Sequence, residues 1–137
     1  MPSERLLYTG RVRTIGGRDG TARSTDGRLD VRLTTPGTPG DGTNPEQLFA
    51  AGWAACFEGA LTLAARAMKI TPLIEPAIDA EIDLCLDDGA YFLRARLQVS
   101  LPGMEREIAE RLIEIAHRTC PYSKATRDNI EIAITLA

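Results

Sequence analysis

The sequence is short of most side chains from which enzyme sites are usually built. Its 137 residues hold one histidine, one tryptophan and three cysteines. A single histidine, His117, excludes HExxH zinc sites and any mechanism needing two imidazoles in one chain. The cysteines, Cys56, Cys85 and Cys120, lie far apart with no C-x-x-C pair, which argues against a zinc or iron–sulfur cage. An odd count leaves at least one thiol free if two of them bridge. Basic charge is also scarce. Sixteen Lys and Arg against nineteen Asp and Glu give a net charge of −3, the reverse of the surplus that binds nucleic acid. The opening residues, MPSERLLYTG, lack the apolar stretch of a signal peptide. No run of about 20 apolar residues stands out, so no membrane span is expected. The expected compartment is the cytoplasm, where thiols stay reduced unless redox chemistry is their task.

What is present reads as one globular domain over residues 1–137. The chain is 44% hydrophobic and 26% charged, and at this length folding buries roughly two-thirds of the unfolded surface. Three strands are expected first, over Leu6–Ile15, Thr21–Ser24 and Leu29–Leu33. They are separated by the turns Gly16-Gly17-Arg18-Asp19-Gly20 and Asp26-Gly27, whose residues tolerate unusual backbone angles. The loop Pro36–Thr43 follows. Asn44 is a good N-cap and Pro45 suits the first helical position, so a helix is expected from Pro45 to about Met68. Only Glu58 and Arg66 are charged between Leu48 and Met68, which predicts a helix buried nearly all round. Its many small residues permit close backbone approach. A hairpin then alternates Ile78, Ala80, Ile82, Leu84 and Leu86 with Asp79, Glu81, Asp83 and Cys85. It returns through Tyr91 to Leu101, with Arg94 and Arg96 facing the acidic strand. A second helix carries Ile108, Leu112, Ile115 and Ala116. It must end near Cys120, because Pro121 disfavours helical backbone in the residue before it. Ile130 to Leu136 gives a last strand. The order β-β-β-α-β-β-α-β means an α+β domain with antiparallel sheets and a buried central helix.

Taken singly, the chemically interesting residues have ordinary explanations. Cys56, inside an apolar helix, reads as a small buried hydrophobe. Cys85, by parity with its carboxylate neighbours, is a bystander. Cys120 ends a helix where the chain turns and can present a side chain. Arg18 in the glycine-rich turn reads as a solvated loop charge. Glu46 reads as a carboxylate that satisfies the helix dipole, and His117 as a last-turn cation doing the same. Tyr122 lines a pocket or joins the core. Arg18, Glu46, Cys56 and Cys120 gain weight only by occurring together.

Those residues sit in segments that resemble a known family. LLYTG, GGRDG, STDGRLDVRL, GTNPEQLFAAGWAACFEGAL, LPGM and AHRTCPYSKATRDNI are similar to the organic hydroperoxide resistance proteins (Ohr) of the OsmC/Ohr superfamily. The resemblance runs nearly end to end. It implies an OsmC/Ohr-like fold and an intertwined homodimer. It also implies a peroxidase that reduces organic, lipid-like hydroperoxides to alcohols, using dihydrolipoamide or a lipoylated protein as external reductant. No metal, flavin or haem is implied. Cys56 resembles the peroxidatic cysteine and Cys120 the resolving one, which implies a Cys56–Cys120 disulfide. Arg18 and Glu46 match the arginine and glutamate that assist the thiol. Trp53 stands where many members carry tyrosine, and the loop Pro36–Thr43 is shorter than usual.

This chemistry suits these residue types. A thiolate attacks peroxide, an apolar setting alone raises the thiol's pKa, and a cation reverses the rise. An arginine held by a carboxylate supplies that cation. Ten residues separate Glu46 from Cys56, about 15 Å along one continuous helix. Either the first turns are not helical, or the site combines two chains. The alternatives are an OsmC-type peroxidase of broader range and a non-enzymatic redox or ligand-binding dimer.

Overall fold

The computed structural model describes residues 3–70 and 72–137. Its first strands form a small antiparallel meander. Strand β1 (Val12–Ile15) pairs with β2 (Thr21–Ser24), and β2 with β3 (Asp30–Arg32). A 3-10 turn at Gly17–Asp19 joins β1 to β2. It is a glycine structure by necessity: Gly16 has φ 82, and a Cβ on Gly20 would collide with the Ile15 carbonyl. The Asp19 carboxylate anchors the turn by accepting hydrogen bonds from the Thr35 N–H (3.0 Å) and hydroxyl (2.8 Å). Those bonds hold its pKa below the usual value.

The first strand begins later than its composition suggests. Leu6, Leu7 and Tyr8 lie outside it and are exposed, as is every residue of β1. Only Ala22 and Leu33 are buried among the described residues before Pro45. A segment with so little core cannot bury these apolar groups by itself.

Contacts divide the chain into two units, with the break at Pro45–Glu46. The second is built around helix α1 (Pro45–Ala67), a hairpin of β4 (Ala77–Asp87) and β5 (Ala90–Ser100), helix α2 (Arg106–Thr119), a short helix α3 (Pro121–Thr126) and strand β6 (Glu131–Leu136). The sheet order is β4-β5-β6. The elements agree with expectation in nature and approximate bounds, and the class is α+β, but three details differ. Residues 121–126 form a helix, because Pro121 forbids helix only behind itself and starts one well. Strand β6 runs parallel to β5 rather than antiparallel, since α2 and α3 carry the chain back across the sheet before it re-enters.

The third difference concerns α1, which is buried on one face rather than all round. Trp53, Phe57, Leu61, Ala64 and Ala65 point into the core, while Ala51, Ala55, Gly59 and Leu63 are exposed. α1 is also long and apolar enough to cross a bilayer, with mean hydropathy 1.5 over its best window, contrary to the expectation that no such stretch exists. Its packing against Leu97, Val99, Leu112 and Ala116 is that of a core helix.

The hairpin register is unbroken from Ala77↔Ser100 to Asp87↔Ala90. Cross-strand charges meet as expected. Arg96 binds Glu81 at 2.8 Å and both oxygens of Asp83 at 2.7 and 2.8 Å, and Arg94 reaches Asp83 at 3.3 Å. This holds the Asp83 carboxyl down at about 2. The core covers the Ala95–Val99 half of β5. At the hairpin tip Leu84, Leu86, Tyr91 and Phe92 are exposed, and Cys85 is half-buried opposite Phe92.

Leu112 is fully buried at the centre of this core. Leu112→Ala should lower the unfolding free energy by about 2–5 kcal/mol in urea titration. Ile74→Ala, at an exposed position, should change it by less than about 0.5 kcal/mol.

Candidate active site

Two of the four expected site residues meet within the second unit. Cys56 lies about three turns into α1 and is half-buried; Cys120 is fully buried. The Cys120 thiol points at the Cys56 sulfur across 3.2 Å, and both are free. A disulfide needs about 2.05 Å, so the pair stands in reach of bonding without being bonded.

The placement of Cys120 follows from Pro121. Cys120 takes extended backbone (φ −63, ψ 123) and serves as both C-cap of α2 and N-cap of α3. It is tied from both sides. Its N–H donates to the Ala116 carbonyl at 2.8 Å, and its carbonyl accepts from the Lys124 N–H at 2.9 Å. The chain therefore bends at the cysteine without losing hydrogen bonds, and the bend turns the sulfur toward α1.

The surroundings of Cys56 are apolar and aromatic. Phe49 stacks on Trp53 with ring centroids 5.6 Å apart and meets Tyr122 at 6.1 Å. Phe49, Gly52, Trp53 and Cys56 share one face of α1 by their three- and four-residue spacing. Gly52 is needed there: a Cβ would lie 2.9 Å from the Tyr122 hydroxyl. Tyr122 is 40% exposed and so forms an outer wall of the site rather than core. Behind this wall the Trp53 indole N–H donates to the Ser123 hydroxyl at 3.2 Å. Ser123 was not among the expected residues. Its only signal in the sequence is its place in Cys-Pro-Tyr-Ser.

Electrostatics within this unit run against a reactive thiol. Burial pushes the Cys56 pKa up. A backbone hydrogen bond from Tyr122 opposes the rise, and the neighbouring Cys120 thiol adds to it. Glu46 lies in the first turn of α1, and Arg18 in the 3-10 turn of the other unit. Each is half-buried and engaged by other groups. No group of three or more His, Cys, Asp or Glu side chains among the described residues is placed to hold a metal.

His117 does not act as the expected last-turn cation. Its Nδ1 is buried without a hydrogen-bond partner among the described residues, and the Arg127 guanidinium binds its carbonyl at 2.7 Å. Arg127, with Arg118 in the last turn, thus supplies the positive charge at the end of α2.

The family model described as "OsmC-like protein" matches residues 37–135. The organic hydroperoxide resistance protein of Xanthomonas axonopodis pv. citri (strain 306) is 44% identical, over 98% of this chain and 97% of that one. OhrA of Bacillus subtilis (strain 168) is 42% identical, over 96% of each. The crystal structure of OhrB of Bacillus subtilis superposes with TM-score 0.90 at 42% identity, covering 96% of this chain and all of that one. The chain belongs to the OsmC-like family and, within it, to the organic hydroperoxide resistance proteins.

Burial first, then the charge of Arg127, depress the His117 pKa below its ordinary 6.5. The folded chain therefore binds fewer protons than the unfolded one once pH falls below about 6.5. Stability should decline from there toward the lower folded-state pKa, and be insensitive to this group above. Urea midpoints at about pH 7.5 and 5.5 test this. His117→Gln should show the smaller loss on acidification; an equal loss in both proteins would remove His117 as the cause.

Proposed function

We propose that this chain is a cysteine peroxidase that reduces organic hydroperoxides to alcohols. The observation that carries the reading is the approach of the Cys120 and Cys56 sulfurs to 3.2 Å inside an aromatic setting. The Cys56 thiolate attacks one peroxide oxygen, the O–O bond breaks, and the other oxygen leaves as an alcohol after gaining a proton. Cys56 is left as a sulfenic acid. The Cys120 thiol displaces the sulfenic oxygen as water and forms the Cys56–Cys120 disulfide. An external dithiol of the dihydrolipoyl class then reduces that disulfide and is itself oxidised to a cyclic disulfide. No bound cofactor takes part. Phe49 and Tyr122 favour a substrate with an apolar body over hydrogen peroxide, and the relatives' names support the same substrate class.

Because the second unit raises the Cys56 pKa, a cation must be brought to the sulfur. Arg18 is proposed in that role, with Glu46 holding its guanidinium. Helix α1 is continuous from Pro45, so Glu46 and Cys56 of one chain stand about 15 Å apart along its axis. That continuity supports a site shared between two chains. Two α1 helices crossing antiparallel at Ala51, the midpoint between residues 46 and 56, would bring Glu46 level with the partner's Cys56. The small exposed residues Ala51, Ala55 and Gly59 suit such a crossing. The exposed Leu6, Leu7, Tyr8, Leu63 and Tyr91 are apolar surface that a second copy would cover. The reading is therefore of a homodimer, and the cytoplasm is proposed as its compartment because thiols stay reduced there.

Cys56→Ser should lower lipoyl-dependent turnover of cumene hydroperoxide by at least about 10³-fold. Cys120→Ser should still consume one equivalent of peroxide but fail to recycle. Retained turnover in Cys56→Ser would end the enzyme reading. Arg18→Ala should reduce kcat/KM by roughly 10²-fold while raising the pH at which Cys56 becomes alkylated. An unchanged alkylation profile would exclude Arg18 as the cation.

A further inference from the structure

Closing the gap between the two sulfurs from 3.2 Å to a bond of about 2.05 Å requires movement of the order of 1 Å. Whatever holds the two thiol-bearing elements together therefore controls the bond-forming step. Cys56 is carried by α1, whose inner face is locked into the core by Phe57, Leu61 and Ala65. Cys120 is carried by the bend between α2 and α3, and α3 is only six residues long. Besides the Tyr122 backbone hydrogen bond to the Cys56 sulfur itself, one side-chain hydrogen bond among the described residues ties that short helix to α1: the Trp53 indole N–H to the Ser123 hydroxyl, 3.2 Å, with both residues fully buried. Trp53 lies three residues before Cys56, and Ser123 three residues after Cys120. The hydrogen bond thus links the same two elements as the thiols, one turn away from each, and runs beside the disulfide that would form. An indole N–H is donor only, so the bond is directional.

We propose that Trp53 and Ser123 are positioning residues for the resolving step. Their hydrogen bond holds the start of α3 against α1 and so keeps Cys120 within bonding reach of Cys56 after Cys56 is oxidised. The inference rests on the assignment of Cys56 and Cys120 as a redox pair. In the step concerned, Cys56–SOH and Cys120–SH give the Cys56–Cys120 disulfide and water, with the sulfenic oxygen taking the thiol proton. The competing step consumes a second hydroperoxide: Cys56–SOH becomes Cys56–SO₂H as that hydroperoxide becomes an alcohol. Trp53 and Ser123 are buried behind Phe49 and Tyr122, so the first attack on peroxide does not use them. A weaker tether shifts the partition between the two later steps toward overoxidation.

The test uses Ser123→Ala, with Ser123→Thr as the variant that keeps the hydroxyl and Trp53→Phe as the variant that keeps a ring. Reduced protein is mixed with a series of cumene hydroperoxide amounts from one equivalent upward, quenched by alkylation at intervals, and analysed by mass spectrometry for sulfenic acid, disulfide and sulfinic acid. Ser123→Ala and Trp53→Phe should form sulfenic acid at a rate within about 3-fold of wild type but disulfide roughly 10- to 100-fold more slowly, the scale of a 1 Å misplacement. They should also accumulate Cys56 sulfinic acid at lower peroxide. Ser123→Thr should restore the disulfide rate. Disulfide formation at the wild-type rate in both Ser123→Ala and Trp53→Phe overturns the inference. So does an equal slowing of both steps, which marks a general structural effect. Absence of a Cys56–Cys120 disulfide in wild type itself would instead overturn the redox-pair assignment.

Discussion

The architecture of the site depends on a steric fact about one peptide bond. The ring of Pro121 denies helical backbone to Cys120. Helix α2 therefore stops at Thr119, Cys120 goes extended, and α3 starts at once in a new direction. Without that break the residues of α2 and α3 would continue as one rod, and the sulfur of Cys120 would follow the rod's own face. With it, the cysteine sits at a corner, buried and bound by backbone hydrogen bonds on both sides, and its thiol meets Cys56 on the core helix. Gly52 lets Tyr122 come close on the far side of the corner, and the Trp53–Ser123 bond ties the new helix down.

The same packing creates the main chemical difficulty. A thiol brought inside an aromatic setting loses water, and its pKa rises; Cys56 shows that direction. Among the described residues of the second unit, the Tyr122 backbone hydrogen bond is what acts against it. Meanwhile one face of α1, the hairpin tip and the residues ahead of β1 expose apolar groups that folding of a single chain leaves wet. In the reading proposed above, one event answers both: association of two chains covers the apolar surface and delivers the cation that a reactive thiolate requires.

Much of this was legible in the sequence, where local rules act alone. Asn44-Pro45 and Cys120-Pro121 mark helix ends by backbone sterics and capping. The alternation through residues 78–86 and 91–101 specifies a two-sided hairpin down to the Glu81–Arg96 and Asp83–Arg94 pairs. The cysteine pair was readable through the family resemblance rather than from spacing, since the two lie on different elements far apart in sequence. Other features depend on tertiary context. The direction of β6 is decided by how two intervening helices cross the sheet. The exposed stripe of α1 is invisible in a composition that is apolar all round. The half-buried state of Cys85 depends on where the core stops along a long hairpin, which parity alone does not say. Ser123 is not legible because a serine three residues past a cysteine carries no signal without the indole that faces it.

The central claim is that Cys56 and Cys120, and not Cys85, form the redox pair. Reduced protein treated with one equivalent of an organic hydroperoxide and mapped by non-reducing peptide mass spectrometry tests it most directly. The account predicts loss of two thiols per chain, a single cross-linked species joining the peptides of Cys56 and Cys120, and Cys85 recovered as a free thiol. A Cys56 that remains reduced while peroxide is consumed, or a bridge that includes Cys85, would contradict it.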